Sequence, residues 1–501
     1  MRVQISSLFV LLTSLSVPVS AFAQAVRPTQ PATAPRAAAP APVAAAPPAA
    51  PAQVGPMGAN ANPSALELRE APRGSNPVLA AFTPHPGGLT ANDVAARAAA
   101  TSDTIAAKNA ELKAAAAAVD SAMYQFYPKL TAKASYTRLS PVTIQFGPQA
   151  FVIPENAYSL GASLGVPFSD YILRLSESID ATKKNQESSE LNLRAERQKV
   201  EADARVAFFN WALSIGQVAV TEKSLERVKA RLKDAQTSFT LGAATKADVL
   251  RLQALVAATE SGLVASQSFK QLAEEQLATI MDVPPQEYVL GEDVLAERSP
   301  VPLQPLEILV QHASTNRYEL KALDRAADSM RMAESVIRKG TVPRIDGFAD
   351  YAYAKPNQRY LVVLDWKQSW DVGLAATWNI NEIFTSNSSG NEMAAKRQAL
   401  EANRKAMAKG IRMEVASAYT DTRKSAAALE SAKRGAEAAQ AAYDTEVELF
   451  KVGKATTTEL IDSESELVNS LLALISSHVN IRIAETKLAR AVGNDMHTIK
   501  N

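Results

Sequence analysis

The chain has 501 residues, balances 53 Lys and Arg against 52 Asp and Glu, and contains no Cys. The charge balance removes the bulk electrostatic case for nucleic acid or an anionic membrane surface. The missing thiols exclude disulfide scaffolds, thiolate zinc sites, iron–sulfur clusters and thiol catalysis. His85, His312, His478 and His497 lie far apart, so there is no local metal motif and no cofactor is expected.

Residues 1–23 read as a secretory signal peptide. Arg2 supplies a positive n-region, Val10, Leu11 and Leu12 lie in a short apolar run, and Ala21-Phe22-Ala23 is an A-x-A cleavage site. No Cys follows that site, so no lipid anchor is expected there. No later run reaches the roughly 18 apolar residues of a spanning helix. Residues 24–88 follow as a Pro/Ala-rich segment, with fourteen of the 27 prolines between Pro28 and Pro86. Such a composition breaks helices and lacks apolar mass for a core, so a disordered, polyproline-like linker is expected.

From residue 89 the chain repeats itself once. Tyr127-Pro128-Lys129-Leu130 has a counterpart 215 residues later in Val342-Pro343-Arg344-Ile345, and Phe239-Thr240-Leu241-Gly242 has one 211 residues later in Phe450-Lys451-Val452-Gly453. Each half, 89–282 and 306–495, reads as helix, two strands, a very long helix, a turn and a helix. A Pro-rich linker at 283–305 joins them. In the first half, strands are predicted at about 130–140 and 157–168, the long helix at 174–239 and the last helix at 245–281. In the second half the strands are predicted at 345–354 and 361–380, the long helix at 391–450 and the last helix at 456–492. The strands alternate with period two, as a half-apolar strand requires. Tyr158, Leu160, Ala162, Leu164, Val166 and Phe168 share one face, opposite Ser159, Gly161, Ser163 and Gly165. The helices carry stripes spaced by three and four, such as Leu225, Val228, Leu232, Ala235 and Phe239, as coiled coils do.

Four strands with one lipid-type face need every backbone group paired, yet about eight strands are needed for closure. The chain is therefore expected to oligomerise, two copies giving eight strands and three giving twelve with a water-filled lumen. Tyr136, Tyr158, Tyr351, Tyr353, Trp370 and Trp378 at strand ends suit interfacial aromatic girdles in a lipid bilayer. Long helices would continue the barrel wall as a tube. Ser, His and acidic residues form no nucleophile elbow, no H-E-x-x-H and no phosphate loop, so no enzyme is expected. The competing reading is an exported coiled-coil structural or adhesion protein without a conducting lumen.

The two turn motifs, Leu241-Gly242-Ala243-Ala244-Thr245-Lys246-Ala247-Asp248-Val249-Leu250 and Val452-Gly453-Lys454-Ala455-Thr456-Thr457-Thr458-Glu459-Leu460-Ile461-Asp462, resemble the V-G-x-x-x-x-x-D-V-L turn of the TolC-type outer membrane efflux channels (outer membrane factors). The resemblance covers about 89–495, duplication included. It implies a mainly α chain with a small transmembrane β part, forming a homotrimer with a 12-stranded β-barrel in the outer membrane on an α-helical coiled-coil tunnel. It also implies a passive exit duct of a tripartite efflux or type I secretion system, with a periplasmic adaptor and an inner-membrane pump as partners. Leu241, Gly242, Ala243, Val452, Gly453 and Lys454 would form the adaptor-docking tip. Asp248, Glu459 and Asp462 match acidic positions at the pore constriction. Phe450 and Ala455 stand where a relative has Tyr and Arg, which removes hydrogen-bonding groups. Glu459 and Asp462 are three apart on a helix, so three copies would set six carboxylates around an axis. The same residues also read as helix caps: Thr456-x-x-Glu459 is a capping box and Thr245-x-x-Asp248 resembles one.

Overall fold

The computed structural model of the chain describes residues 81–141, 143–146, 149–152, 154–242, 244–296, 303–360 and 365–494. The expected signal peptide and residues 24–80 lie outside the described residues, as do Ala243 and the 361–364 start of one expected strand.

In the first half, α1 (Ala91–Thr101) and α2 (Asp103–Tyr124) precede strands β1 (Lys129–Arg138), β2 (Thr143–Phe146), β3 (Gln149–Val152) and β4 (Asn156–Val166). A short turn and a π-turn (Tyr171–Leu175) lead into α3 (Ser176–Thr240), which is followed by α4 (Lys246–Met281). The second half repeats the order. It comprises α5 (Leu306–Asn316), α6 (Tyr318–Arg338), β5 (Arg344–Lys355), β6 (Lys367–Thr377), α7 (Ile380–Lys451) and α8 (Thr457–Val492). At 1.5 Å per residue, the 65 residues of α3 and 72 of α7 span roughly 98 and 108 Å.

The β2–β3 hairpin and the second helix ahead of the strands in each half are not among the expected elements, and two further details depart from expectation. The second long helix begins at Ile380 rather than 391, and β6 ends at Thr377 rather than 380. The run from Thr385 to Asn391 is Ser-, Asn- and Gly-rich and propensity alone disfavours it as helix. Packing decides otherwise: a Cβ on Gly390 would lie 2.9 Å from Arg338 Cγ, so α6 and α7 approach where the side chains are small. The second departure is that the folded part starts before residue 89. Phe82 is buried, and a Cβ on Gly216 of α3 would stand 2.7 Å from its ring and from Ile475 of α8.

The main core lies midway along α3. Phe208, Trp211 and Val220 pack there with Val94 and Ala98 of α1, Leu277 of α4, and Leu467, Ile475 and Val479 of α8. By length and composition α8 is apolar enough to cross a membrane, which the sequence reading did not anticipate; here its apolar residues fill this core. The linker between the halves is also buckled onto the start of the first half at that level. Leu89 bridges Leu290 in parallel, and the N–H groups of Leu89 and Gly291 donate to Val289 and Leu89 carbonyls at 2.8 Å. A Cβ on Gly88 would meet the Leu290 carbonyl carbon at 2.5 Å, so the close crossing depends on glycine.

Along its first part α3 packs on α6, where Ser188 Oγ donates to the Ala322 carbonyl at 2.8 Å and Ser329 Oγ to that of Ala181 at 2.7 Å. Towards its C-terminus it packs on α4 and α8, with Lys229–Glu260 at 2.7 Å and Arg227–Glu464 at 3.0 Å. The sheet is fully antiparallel in the order β1-β4-β5-β6, with β2-β3 as a separate hairpin. β1 and β6 are its two edges.

Candidate functional site

The register settles which residues share a sheet face, because directly opposed residues point the same way. Leu130 faces Leu164, Ala132 faces Ala162, and Ala134 faces Leu160. Leu164 in turn faces Ala349, which faces Val372, and Gly347 faces Leu374. One face of all four strands is therefore apolar, and it is bare: Leu130 is 75%, Val372 71% and Leu374 72% exposed. A contiguous apolar surface of this kind marks an interaction site. Nothing in the described chain covers it as the second layer of a sandwich would.

The other face carries Thr131, Lys133 and Ser135, Ser159, Gly161 and Ser163, Asp350 and Ala352, and Ser369 and Asp371. Asp350 lies directly opposite Asp371, and Arg359 reaches Asp371 at 3.2 Å. Like charges across a ladder are unfavourable, and the guanidinium offsets that. Phe348 also belongs to this face; its ring covers Gly373, where a Cβ would be 2.7 Å away.

The six aromatic residues singled out from sequence sit at two levels. Tyr136 faces Tyr158 with ring centroids 5.1 Å apart, Tyr351 faces Trp370, and Tyr353 is on the same end of the sheet, far from the helices. Trp366 joins them, stacked on Tyr353 at 5.0 Å and near Tyr158 at 6.1 Å. Sequence reasoning missed Trp366, although stepping back by twos from Trp370 reaches it. Trp378 lies at the opposite end, where its Nε1–H donates to the Thr341 carbonyl at 3.2 Å. Nearby, Phe126 stacks on Tyr171 at 5.5 Å.

The far end of the long helices is built from two equivalent turns. Gly242 and Gly453 have φ of 77° and 71°, a conformation glycine adopts without Cβ strain. At the second turn, the N–H groups of Gly453 and Lys454 donate to Phe450 and Leu449 carbonyls at 3.0 and 2.9 Å, closing the helix as a Schellman motif. Leu241 and Val452 are exposed apolar residues beside these glycines. Both following helices open with full capping boxes. Thr245 Oγ1 donates to Asp248 Oδ2 at 2.6 Å and accepts from the Asp248 N–H at 3.2 Å. Thr456 Oγ1 donates to Glu459 Oε2 at 2.8 Å and accepts from the Glu459 N–H at 3.2 Å.

These bonds favour the ionised carboxylates. The Thr245 hydroxyl and then its backbone N–H hold Asp248 below the usual range. For Glu459 the Thr456 backbone N–H contributes most, then its hydroxyl. Glu459 is thus turned back onto its own cap, whereas Asp462 is exposed and takes no part in either box. Phe450 packs partly buried against the core, which an apolar ring suits better than a phenol. Sequence reasoning also missed a bond between the two tips: Arg251 Nη1 donates to Thr458 Oγ1 at 3.3 Å and lies 3.9 Å from Asp248.

Higher up, Glu464 of α8 accepts from Ser224 Oγ at 2.9 Å and from Arg227 Nε at 3.0 and 3.1 Å, both on α3. The Arg227 guanidinium stands over the Tyr443 ring of α7 at 5.7 Å. This buried knot ties the α3–α4 hairpin to the α7–α8 hairpin. Among the described residues no group of acids and histidines is placed to hold a metal ion.

A family model described as "Outer membrane efflux protein" matches residues 94–282 and 309–494, one segment in each half. No curated protein matches the sequence. Among solved structures, the outer-membrane channel OprN superposes with a TM-score of 0.69 at 19% identity, over 81% of this chain and 90% of that one. The CmeC outer membrane channel of Campylobacter jejuni gives 0.67 at 14%, over 80% and 85%. The outer membrane protein VceC of Vibrio cholerae gives 0.67 at 16%, over 81% and 96%. At such identities the likeness is one of fold.

Proposed function

The chain belongs to the outer membrane efflux protein family, and from that premise we propose that it is the passive exit duct of an efflux or type I secretion system. Three copies would close a 12-stranded barrel in the outer membrane, their long helices forming a tunnel through the periplasm. Residues 1–23 would be removed on export.

The observation that carries this reading is the sheet: one face is apolar and largely bare, the other carries mostly small and polar residues, and β1 and β6 each keep an open edge. In a bilayer, open edges are not tolerated, so copies must pair edge to edge. The polar face would then line the lumen and the tyrosines and tryptophans would mark the two interfaces. At the other end, Gly242, Gly453 and the exposed Leu241, Val452 and Lys454 form the surface on which a periplasmic adaptor would dock, with Ala243 between them in sequence. Asp248, Glu459 and Asp462 would surround the pore at its narrow end.

The test is the purified chain in planar bilayers, with its oligomeric state in detergent. Trimers and discrete small conductance steps are expected, with cation selectivity lowered by Glu459→Ala plus Asp462→Ala. A folded monomer without conductance would refute the reading; unchanged selectivity would remove the acidic ring alone.

A further inference from the structure

Where the sheet meets the helices, α6 and α7 line an open surface cavity of about 510 Å³ that the duct reading does not use. Its wall holds four cations, Arg331, Arg338, Lys339 and Arg397, against one carboxylate, Glu334. Glu334 accepts from Arg338 at 2.9 Å and Arg397 at 3.3 Å, and those bonds hold it well ionised. Arg397 also donates to Glu401 at 2.7 Å, Arg331 pairs with Asp328 at 3.3 Å, and Lys339 bonds Glu177. A guanidinium carries five N–H donors, so these bonds engage only part of each fork. Arg331 is the most open of the four, with 64% of its side chain exposed.

The cavity's position says what would enter it. Thr341 and Val342 form its upper wall, and the Thr341 carbonyl is the acceptor of the Trp378 indole. Trp378 continues the apolar series Trp370, Val372, Leu374 and Ala376 just past β6. Arg174 Nη2 donates to the Lys339 and Val342 carbonyls, which brings the stacked Phe126 and Tyr171 to the same level. A basin of guanidinium forks and the Lys339 ammonium, their charges balanced by Glu334, Glu401, Asp328 and Glu177 but with N–H donors to spare, thus lies under an aromatic belt at the lower rim of a bare apolar face. That arrangement fits an amphiphile with an anionic head and apolar tails. Guanidinium forks match phosphate geometry.

We propose that this basin binds the phosphate headgroup of an anionic glycerophospholipid in the periplasmic leaflet, with its acyl chains laid along the apolar face beside Trp378. The proposal rests on the outer-membrane reading above. The bound lipid would fix the height of the junction, because Arg338, Lys339 and Arg397 tie α6, α3 and α7 together at this point.

The test uses the full chain, delipidated in detergent and titrated in native mass spectrometry with dioleoylphosphatidylglycerol, dioleoylphosphatidylcholine or inorganic phosphate. Tighter retention of phosphatidylglycerol by about tenfold is expected, the size of one charge-assisted contact. R331Q and R331E should reduce that preference progressively while circular dichroism is unchanged, since among the described residues Arg331 pairs within its own helix. Equal retention of both lipids, or variants that behave as the parent, would overturn the proposal. Competition by free phosphate at the lipid's own concentration would replace the lipid by a soluble anion and overturn it too. Flotation with pure phosphatidylcholine vesicles separates the two readings. A chain that inserts there without headgroup preference refutes the basin alone; one that inserts into no vesicle refutes the channel and the basin together.

Discussion

Removing the charge from Glu464 should loosen the two helical hairpins from each other. Glu464 is 5% exposed and its partner Arg227 keeps 27% of its side chain in contact with solvent. Breaking a fully buried ion pair costs about 3–5 kcal/mol because the remaining charge is stranded. Arg227 is partly hydrated, so Glu464→Ala is expected at the lower end, about 3 kcal/mol. Glu464→Gln keeps an acceptor for Ser224 and loses only charge assistance, so about 1.5 kcal/mol is expected. Replacing both partners with Met strands no charge, and should come within about 1 kcal/mol of the parent. The assay is native-state hydrogen exchange of α8 amides over residues 457–475, which reads local opening free energies. A double-mutant cycle with Arg227→Met isolates the pair, with an expected coupling of about 1–3 kcal/mol. Additive single variants, or an alanine variant within 0.5 kcal/mol (about the scatter of such cycles), would refute the idea that this knot holds the hairpins.

Three further outcomes follow from the geometry. Gly453→Ala should destabilise the tip by about 1 kcal/mol through its positive φ alone, since nothing lies within 4 Å of the added Cβ, and Gly453→Asn should cost less; limited proteolysis at the turn would report both. The capping carboxylates of Asp248 and Glu459 have lowered pKa values, so their support is complete above the ordinary values of 3.8 and 4.5 and is lost as pH falls through the lower folded values; first-turn amides of α4 and α8 should open below about pH 3.8, and Thr456→Ala should weaken that pH dependence in α8 without abolishing it, because the residue-456 backbone N–H still donates to Glu459. Trp211→Ala, at a fully buried site, should cost about 3–5 kcal/mol in thermal unfolding while leaving the sheet's own register intact.

The four strands of the main sheet were legible because each alternates and its neighbours repeat the phase, whereas the β2–β3 hairpin was not; register then follows from keeping Leu130, Leu164, Ala349 and Val372 on one face. The turns were legible because a glycine followed by Thr-x-x-acid is a local signal with a local cause. What stayed hidden depends on distant partners. The first turns of α7 look unhelical until Gly390 is seen against Arg338. Phe82 lies in a Pro-rich stretch, and only its seat against Gly216 and Ile475 makes it core. Glu464 and Arg227 are 237 residues apart, and nothing in either neighbourhood announces the other. The same holds for Arg251 and Thr458, whose bond links the two tips across 207 residues of sequence.

Among the described helices, only α3 and α7 run unbroken from the sheet to the tips; their neighbours are spliced midway, where α4 and α8 end and α2 and α6 begin. In mechanical terms the molecule has two drive shafts and two jointed rods. A rotation imposed at the turns would pass to the sheet along continuous helix in α3 and α7, but along α4 and α8 only through the packed joint around Trp211 and the Leu89–Leu290 buckle.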